Sequence, residues 1–249
     1  MLQNLRESMR FRSLTFDSVE RKLERAANID DLRLLAKRNL PTGVFDYIDG
    51  AAEDEEALAR SIRVFDEVLF RPRVMRDMTT VDTSTTLLGK KIPMPFALSP
   101  TGFTRIADPQ GELAVAKVAA ARGLPYTLST MGTRSIEEVA AVSDGPKWFQ
   151  VYVWKDRGLV KEMIWRAEAA GYETLVITVD FATLGRRERD VRSGFTLPPK
   201  LGLDTIIDGI RHPRWTWEFA RSEPIRFANV SGTSDERDAT STRAPICDM

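Results

Sequence analysis

Thr174-Leu175-Val176-Ile177-Thr178-Val179-Asp180, followed closely by Leu184-Gly185-Arg186-Arg187-Glu188-Arg189-Asp190, is an apolar run that opens onto clustered charge. Leu, Val and Ile without polar alternation fit a parallel strand covered on both faces, and α/β proteins place their chemistry at the carboxyl ends of such strands. Asp180 and Arg187 are therefore the first candidate site residues. The competing reading is a strand that ends in a charged, solvated loop.

Upstream the same pattern repeats as strand, then helix, at intervals of forty residues or less, which marks βα units. Residues 92–98 read as a strand. Asp108 caps and Pro109 starts a helix carrying Leu113, Val115, Val118 and Ala119, and Gly123 ends it. Residues 124–128 form the next strand. Ser135 with Glu138 makes a capping box, and 148–153 follow as the third strand. Leu159, Val160, Met163, Ile164, Ala167 and Ala170 then build one buried helix face that Gly171 closes, before a fourth strand over 173–179. Four such units make either an open doubly wound sheet or the first half of an eightfold barrel. A Gly-rich GxGxxG turn would favour a dinucleotide fold, but Pro100-Thr101-Gly102-Phe103-Thr104 follows the first strand, which leans towards the barrel.

The segment before these units has no strand pattern. Asn28 can cap a helix with Asp30 and Asp31 in its first turn and Ile29, Leu32, Leu35 and Ala36 as its stripe, closed by Pro41. A short helix holds Phe45, Tyr47 and Ile48 and stops at Gly50. Acidic residues Glu53 to Glu56 open a third towards Phe65. After the fourth strand the pattern dissolves: 191–230 contain Pro198, Pro199, Pro213, Pro224, Trp215 and Trp217 and one weak helical stretch near 203–210, which reads as a long loop over a site. Residues 231–249 are polar, with little to bury, and are expected to be disordered.

Composition narrows the function classes. The 249 residues are 43% hydrophobic and 29% charged, as in a globular protein, and 36 basic against 36 acidic side chains leave no field to attract nucleic acid. A single cysteine, Cys247, excludes an intrachain disulfide and a cysteine metal cluster and suits a reducing cytoplasm. No signal-peptide or membrane-spanning run is present, so a cytoplasmic location is expected, and no metal site is expected.

Polar residues recur just past the strand ends: Ser99 with Thr101, Ser129 with Thr130, Gln150 with Tyr152, and Thr178 with Asp180. Hydroxyls, an amide and a phenol both donate and accept, so together they suit a planar heterocycle with alternating donors and acceptors, of which a flavin ring is one. Each Ser or Thr alone is an ordinary turn residue. Arg187 offers a planar fork for a carboxylate, to which Tyr47 and Tyr152 can add phenol donors; the alternative is a local ion pair with Glu188 or Asp190. Asp180 either positions a catalytic base or caps a loop.

These residues carry a resemblance. Phe45-Asp46-Tyr47-Ile48-Asp49-Gly50-Ala51-Ala52-Glu53-Asp54-Glu55, Ala97-Leu98-Ser99-Pro100-Thr101-Gly102, Leu128-Ser129-Thr130, Trp148-Phe149-Gln150-Val151-Tyr152 and the two stretches quoted first resemble, in order and spacing, the FMN-dependent 2-hydroxy acid dehydrogenases and oxidases. That family includes flavin-type L-lactate dehydrogenases, glycolate oxidase and mandelate dehydrogenase. The resemblance implies a (β/α)8 TIM barrel, here a partial barrel of about four βα units behind a helical lead-in, with FMN at its carboxyl face. It implies oxidation of an L-2-hydroxy acid, L-lactate first, to the 2-oxo acid. Tyr47, Tyr152 and Arg187 would bind substrate and Asp180 would pair with the catalytic histidine. Pro100, Thr101 and Gly102 would run along the flavin, and Ser129, Gln150 and Thr178 would hydrogen-bond it.

The family's base is a histidine after a later strand, whereas this chain's one histidine, His212, lies in the 191–230 loop, where a plain loop role is expected. The later flavin-contacting lysine and phosphate-binding segments of the family are also without counterparts. The expectation is therefore an N-terminal extension over 1–28, a partial barrel over 29–230 and a polar tail, truncated and inactive alone. The other reading is a non-catalytic remnant or half-barrel binding module. Partners would be a small 2-hydroxy acid, an electron acceptor (oxygen, a quinone or a carrier), and a second copy or a complementary C-terminal half. A peripheral place at the inner membrane face is compatible with Trp215 and Trp217.

Overall fold

The computed structural model describes residues 18–180, 185–195 and 202–230. Expectations placed on 1–17, on Leu184, on Pro198 and Pro199, and on the tail 231–249 lie outside the described residues. The chain divides into two compact units, one closing at Leu40 and one opening at Pro41.

The first unit holds α1 (Ser18–Leu23) and α2 (Ile29–Asn39). Asn28 caps α2 as its sequence predicts: the side-chain oxygen accepts from the Asp31 N–H at 2.9 Å, and the Asp31 carboxylate accepts from the Ala27 N–H at 2.8 Å. Two donors at the helix start are thereby satisfied, and two acids sit at its positive end.

The second unit begins with α3 (Thr42–Asp49), whose Val44 and Phe45 are buried, and α4 (Glu56–Asp66). A hairpin follows, β1 (Thr85–Leu87) antiparallel to β2 (Lys90–Ile92). The strand expected over 92–98 is not formed as such. Pro93 and Pro95 lack the N–H groups that a ladder needs, so only Leu98 joins the sheet, as an isolated parallel bridge to Tyr126.

From there helix and strand alternate: α5 (Glu112–Ala121), β3 (Tyr126–Ser129), α6 (Ile136–Ala141), β4 (Lys147–Val151), α7 (Arg157–Ala169) and β5 (Thr174–Ile177). The helix expected from Pro109 starts instead at Glu112. Asp108 turns the chain by accepting from the Gln110 N–H, and Gly111 at φ +52° is the turning point that only glycine adopts freely. Glu112 is thereby buried with both carboxylate oxygens on Thr133. The Ser135–Glu138 capping box of α6 is present as expected. Gly171, at φ +77°, carries the chain out of α7.

The strands lie parallel in the order β3-β4-β5, with Ser129 opposite Gln150 and Gln150 opposite Val176. One face of β3 and β4, Leu128, Phe149 and Val151, is buried with Ala116, Ala119, Ile136, Val139 and Met163 from the three helices. The Tyr172 ring meets Phe149 edge-on at 6.2 Å, and its hydroxyl donates to the Ile136 carbonyl. Burying such apolar side chains contributes roughly 1.5–3 kcal/mol each, the main stabilising term. Arg166 joins α7 to α6 through two 2.8 Å hydrogen bonds to Glu137.

β5 departs from the reading of a strand covered on both faces. Leu175, Ile177 and Val179, on the face that continues Phe149 and Val151, are 39%, 53% and 85% exposed. The described sheet is a three-stranded parallel arc with a bridge at Leu98, and no closed barrel is formed among the described residues.

Among the described residues, α8 (Glu188–Ser193) runs into the 191–230 stretch read as a long loop, α9 (Leu203–Arg211) forms where the weak helical stretch was read, and α10 (Pro213–Arg221) replaces loop by helix. Pro213 takes the first helical position, where its missing N–H costs nothing. Trp215 donates from its indole nitrogen to the Ile106 carbonyl at 2.7 Å, and Asn229 accepts from the Ile136 N–H at 3.0 Å. Residues Trp215 and Asn229 are therefore tied to the turn at Ile106 and to the start of α6.

Two outcomes follow from this packing. Phe149→Ala is expected to lower unfolding free energy by about 3–5 kcal/mol in denaturant titration, whereas Ile177→Thr stays within about 0.5 kcal/mol. Glu137, whose carboxyl is held down to about 2 chiefly by its Arg166 hydrogen bonds, contributes stability that is present above 4.5 and lost as pH falls towards 2. Glu137→Gln is expected to flatten that part of a stability–pH curve.

Candidate active site

At the carboxyl end of the sheet, three side chains from three successive strands form one chain of hydrogen bonds. The Ser129 hydroxyl donates to Gln150 Oε1 at 3.2 Å, and Gln150 Nε2 donates to Thr178 Oγ1 at 2.8 Å. Backbone register explains the meeting. Gln150 and Val176 are paired, so Thr178, two residues on, returns to the same face, and its N–H holds the Val151 carbonyl at 3.2 Å. Thr130, fully buried, locks the arrangement: its N–H donates to Gln150 Oε1, its hydroxyl donates to the Gln150 carbonyl at 2.6 Å, and the same hydroxyl accepts from the Tyr152 N–H.

The loop at 99–102 approaches from the neighbouring bridge. Pro100 and Thr101 are exposed, and Gly102 is half-buried. A Cβ on Gly102 would lie 3.0 Å from the Met131 Cβ, so a side chain there would force the loop away from Met131, whose carbonyl accepts from the Phe103 N–H. Loop 99–102 and the Ser129 end are thus held close together by a position that suits glycine.

A second cluster forms around Tyr47 and Arg187. The Arg187 guanidinium carbon lies 5.3 Å from the Tyr47 ring centre. Its Nε donates to Asp190 Oδ2 at 2.7 Å, and its Nη2 donates to the carbonyls of Asp46 and Tyr47. One edge of the fork is therefore taken, which leaves Nη1 for an incoming group. Phe195 and Phe103 pack on the Tyr47 ring at 5.1 Å and 6.2 Å. Burial pushes the Tyr47 phenol above its ordinary value, with Arg187 pulling it partly back and Asp190 and Tyr152 adding to the rise. Burial likewise raises Tyr152, and the charge of Asp180 adds to it. Both phenols therefore stay protonated donors through neutral pH. Asp180 itself is exposed at the end of β5.

The sequence thus places Ser129, Gln150 and Thr178 together and Tyr47 with Arg187, and the Asp180 charge acts on Tyr152. It did not anticipate the tie that holds Arg187. Arg189 reaches Asp49 Oδ2 at 2.7 Å and Glu55, with Asp46 at 4.0 Å, while the Glu53 N–H donates to the Arg186 carbonyl at 2.7 Å. A signal was present: two acidic runs, Asp46–Asp49 and Glu53–Glu56, face an Arg-rich run that local pairing cannot absorb. His212 lies between α9 and α10 with Nδ1 on the Asp208 carbonyl at 2.8 Å, not at a strand end. Among the described residues no group of three His, Cys, Asp or Glu side chains could hold a metal ion, and no helix is long and apolar enough to cross a membrane.

The donor set fits a flavin. What the mutual bonds of Ser129, Gln150 and Thr178 leave over, the second Gln150 Nε2 hydrogen, the Thr178 hydroxyl hydrogen and spare oxygen lone pairs, supplies both donors and acceptors to a ring system that needs both.

Known proteins are similar to this chain in sequence and fold. A Mycobacterium tuberculosis protein named as an L-lactate dehydrogenase is 44% identical over 230 residues, covering 92% of this chain and 56% of its own length. Glycolate oxidase of Spinacia oleracea is 45% identical over 176 residues, 71% of this chain and 48% of its own. The crystal structure of a monotopic membrane protein, (S)-mandelate dehydrogenase, superposes with a TM-score of 0.80 at 36% identity, over 85% of this chain and 56% of that one. The chain spans about half the length of the relatives it matches. Residues 36–246 match the model of the FMN-dependent dehydrogenases, and the chain belongs to that family of FMN-using 2-hydroxy acid oxidoreductases.

Proposed function

We propose that this chain is the flavin- and carboxylate-binding half of an enzyme that oxidises an L-2-hydroxy acid, L-lactate first, to its 2-oxo acid. The observation that carries the reading is the Ser129–Gln150–Thr178 hydrogen-bond chain at three adjacent strand ends, with the Tyr47–Arg187 pair as the second cluster of the same unit. FMN, when bound, supplies the two-electron redox chemistry. Ser129, Gln150 and Thr178 hold and orient its ring, and Pro100, Thr101 and Gly102 line it through their backbone. Arg187, through Nη1, takes the substrate carboxylate, and the protonated phenols of Tyr47 and Tyr152 donate to the carboxylate or the hydroxyl oxygen. Asp180 orients and balances a histidine base that takes the hydroxyl proton. This chain's histidine is bound to Asp208 in a helical connection, so the base comes from elsewhere, and the chain alone does not turn over.

Lactate is favoured by the names of the relatives in Mycobacterium tuberculosis and Xanthomonas axonopodis; the neighbouring mandelate enzymes favour an aryl acid as second choice. The electrons leave to oxygen, a quinone or a carrier protein. A complementary C-terminal half is the partner that the open β5 edge suits, with a second copy as the alternative. The chain resides in the cytoplasm, peripheral at the inner membrane face; of this, membrane association alone draws on the membrane-associated mandelate dehydrogenase among the neighbours. The second reading, a non-catalytic remnant or half-barrel binding module, draws on the placement of His212 away from every strand end.

Purified chain is expected to show no lactate-dependent reduction of an artificial acceptor, and to regain it when a C-terminal half of a family member is supplied. Turnover by the 249-residue chain alone would overturn the assignment of the base to another segment. Flavin affinity, followed by fluorescence quenching, is expected to fall about five- to tenfold in Thr178→Val, the effect of one lost hydrogen bond of about 1 kcal/mol. No quenching in either protein would favour the non-catalytic reading.

A further inference from the structure

Arg187 occupies a weak position for a residue that must present one free nitrogen at a fixed point. It precedes the six-residue helix α8, and its own ion pair with Asp190 lies three residues away on the same segment. A local pair of that kind orients the side chain relative to α8 but does nothing to fix α8 itself. Arg187 Nη2 on the Asp46 and Tyr47 carbonyls and Phe195 on the Tyr47 ring also touch α3, but the ion pairs between the segments come from Arg189. Its guanidinium bonds Asp49 at the end of α3 and Glu55 at the start of α4, with Asp46 of α3 4.0 Å away. The side chains of Arg189, Asp49 and Glu55 are 29%, 10% and 20% exposed, so the cluster is partly withdrawn from solvent. Glu55 is held further by the Ala51 N–H, at 3.1 Å. Alongside runs a two-way bond between the same segments: the Glu53 N–H donates to the Arg186 carbonyl, and the Arg186 N–H donates to the Glu53 carboxylate at 3.2 Å.

We propose that Arg189 is the positioning residue of the carboxylate site: clamped by Asp49 and Glu55, it holds the 185–195 segment on α3 and so sets Arg187 over the Tyr47 ring. The proposal rests on the carboxylate role given to Arg187 above. Arg189 touches no reacting group; it acts through Arg187. The arrangement also explains why Arg187 Nη2 can reach the Asp46 and Tyr47 carbonyls at the end of α3, because the clamp brings the two backbones together at that turn. Arg suits the clamp where Lys does not, since a planar fork serves two carboxylates at once and an ammonium on a flexible stem serves them less well.

The test separates the clamp from the carboxylate reading. Amide hydrogen exchange of the full chain reports the clamp, and saturation-transfer NMR with L-lactate reports the site. In Arg189→Met, exchange at Glu53 and Arg186 is expected to rise at least fivefold while the β3 and β4 amides keep their protection, and the lactate signal is expected to fall by a similar factor. Arg189→Lys is expected to recover part of both. Asp49→Asn with Glu55→Gln, which leaves Arg189 in place, is expected to reproduce the Met phenotype. Unchanged exchange at Glu53 and Arg186 in Arg189→Met, or in the double variant, overturns the proposal; so does loss of protection throughout the sheet, which would make the cluster a general stabiliser. Arg187→Met is expected to abolish the lactate signal with exchange at Glu53 intact. A lactate signal that survives Arg187→Met refutes the carboxylate role while the exchange result still decides the clamp.

Discussion

Gln150 is a primary amide only 1% exposed, and a buried amide left without partners costs more than most single contacts return. Its solution here fixes the carboxyl end of the sheet. The oxygen takes donors from Ser129 and Thr130, the nitrogen gives to Thr178, and the backbone carbonyl takes the Thr130 hydroxyl. Strands β3, β4 and β5 are thereby tied by side chains at the point where their ladder bonds end. The same groups that satisfy the amide are those able to address a heterocycle, so the chemistry of the site and the stability of the sheet end are one set of bonds.

A second dependence runs through charge. The sheet supplies Tyr152 and the field of Asp180, but Tyr47 arrives on α3 and Arg187 on the segment after β5, more than a hundred residues apart. Apolar packing of Phe103 and Phe195 on Tyr47 sets the ring, and the Arg189 cluster sets the guanidinium. A carboxylate site built this way has a rigid floor and a side wall whose position depends on ion pairing.

Much of the fold was legible because its signals are local. Asn28, Ser135 with Glu138, and Gly171 act within one turn of themselves, and their helices end where those residues direct. Ser129, Gln150 and Thr178 were legible as strand-end polar residues because register repeats every two positions. What could not be read depends on contacts distant in sequence. Near Ile92 only Pro93 and Pro95 signal that the strand after it is reduced to one bridge at Leu98. The α10 helix, starting at Pro213, was hidden among prolines and tryptophans that read as loop. Arg189 looked like one more charge in a run, since its partners lie some 134 and 140 residues away.

The uncovered face of β5 has a consequence for how this polypeptide must be made. Parallel strands cannot be joined by a tight turn, so whatever covers Leu175, Ile177 and Val179 has to arrive late, from a distant segment or from another molecule. Among the described residues, those aliphatic side chains lie beside an open hydrogen-bonding edge, a combination that invites pairing with another strand until the cover arrives.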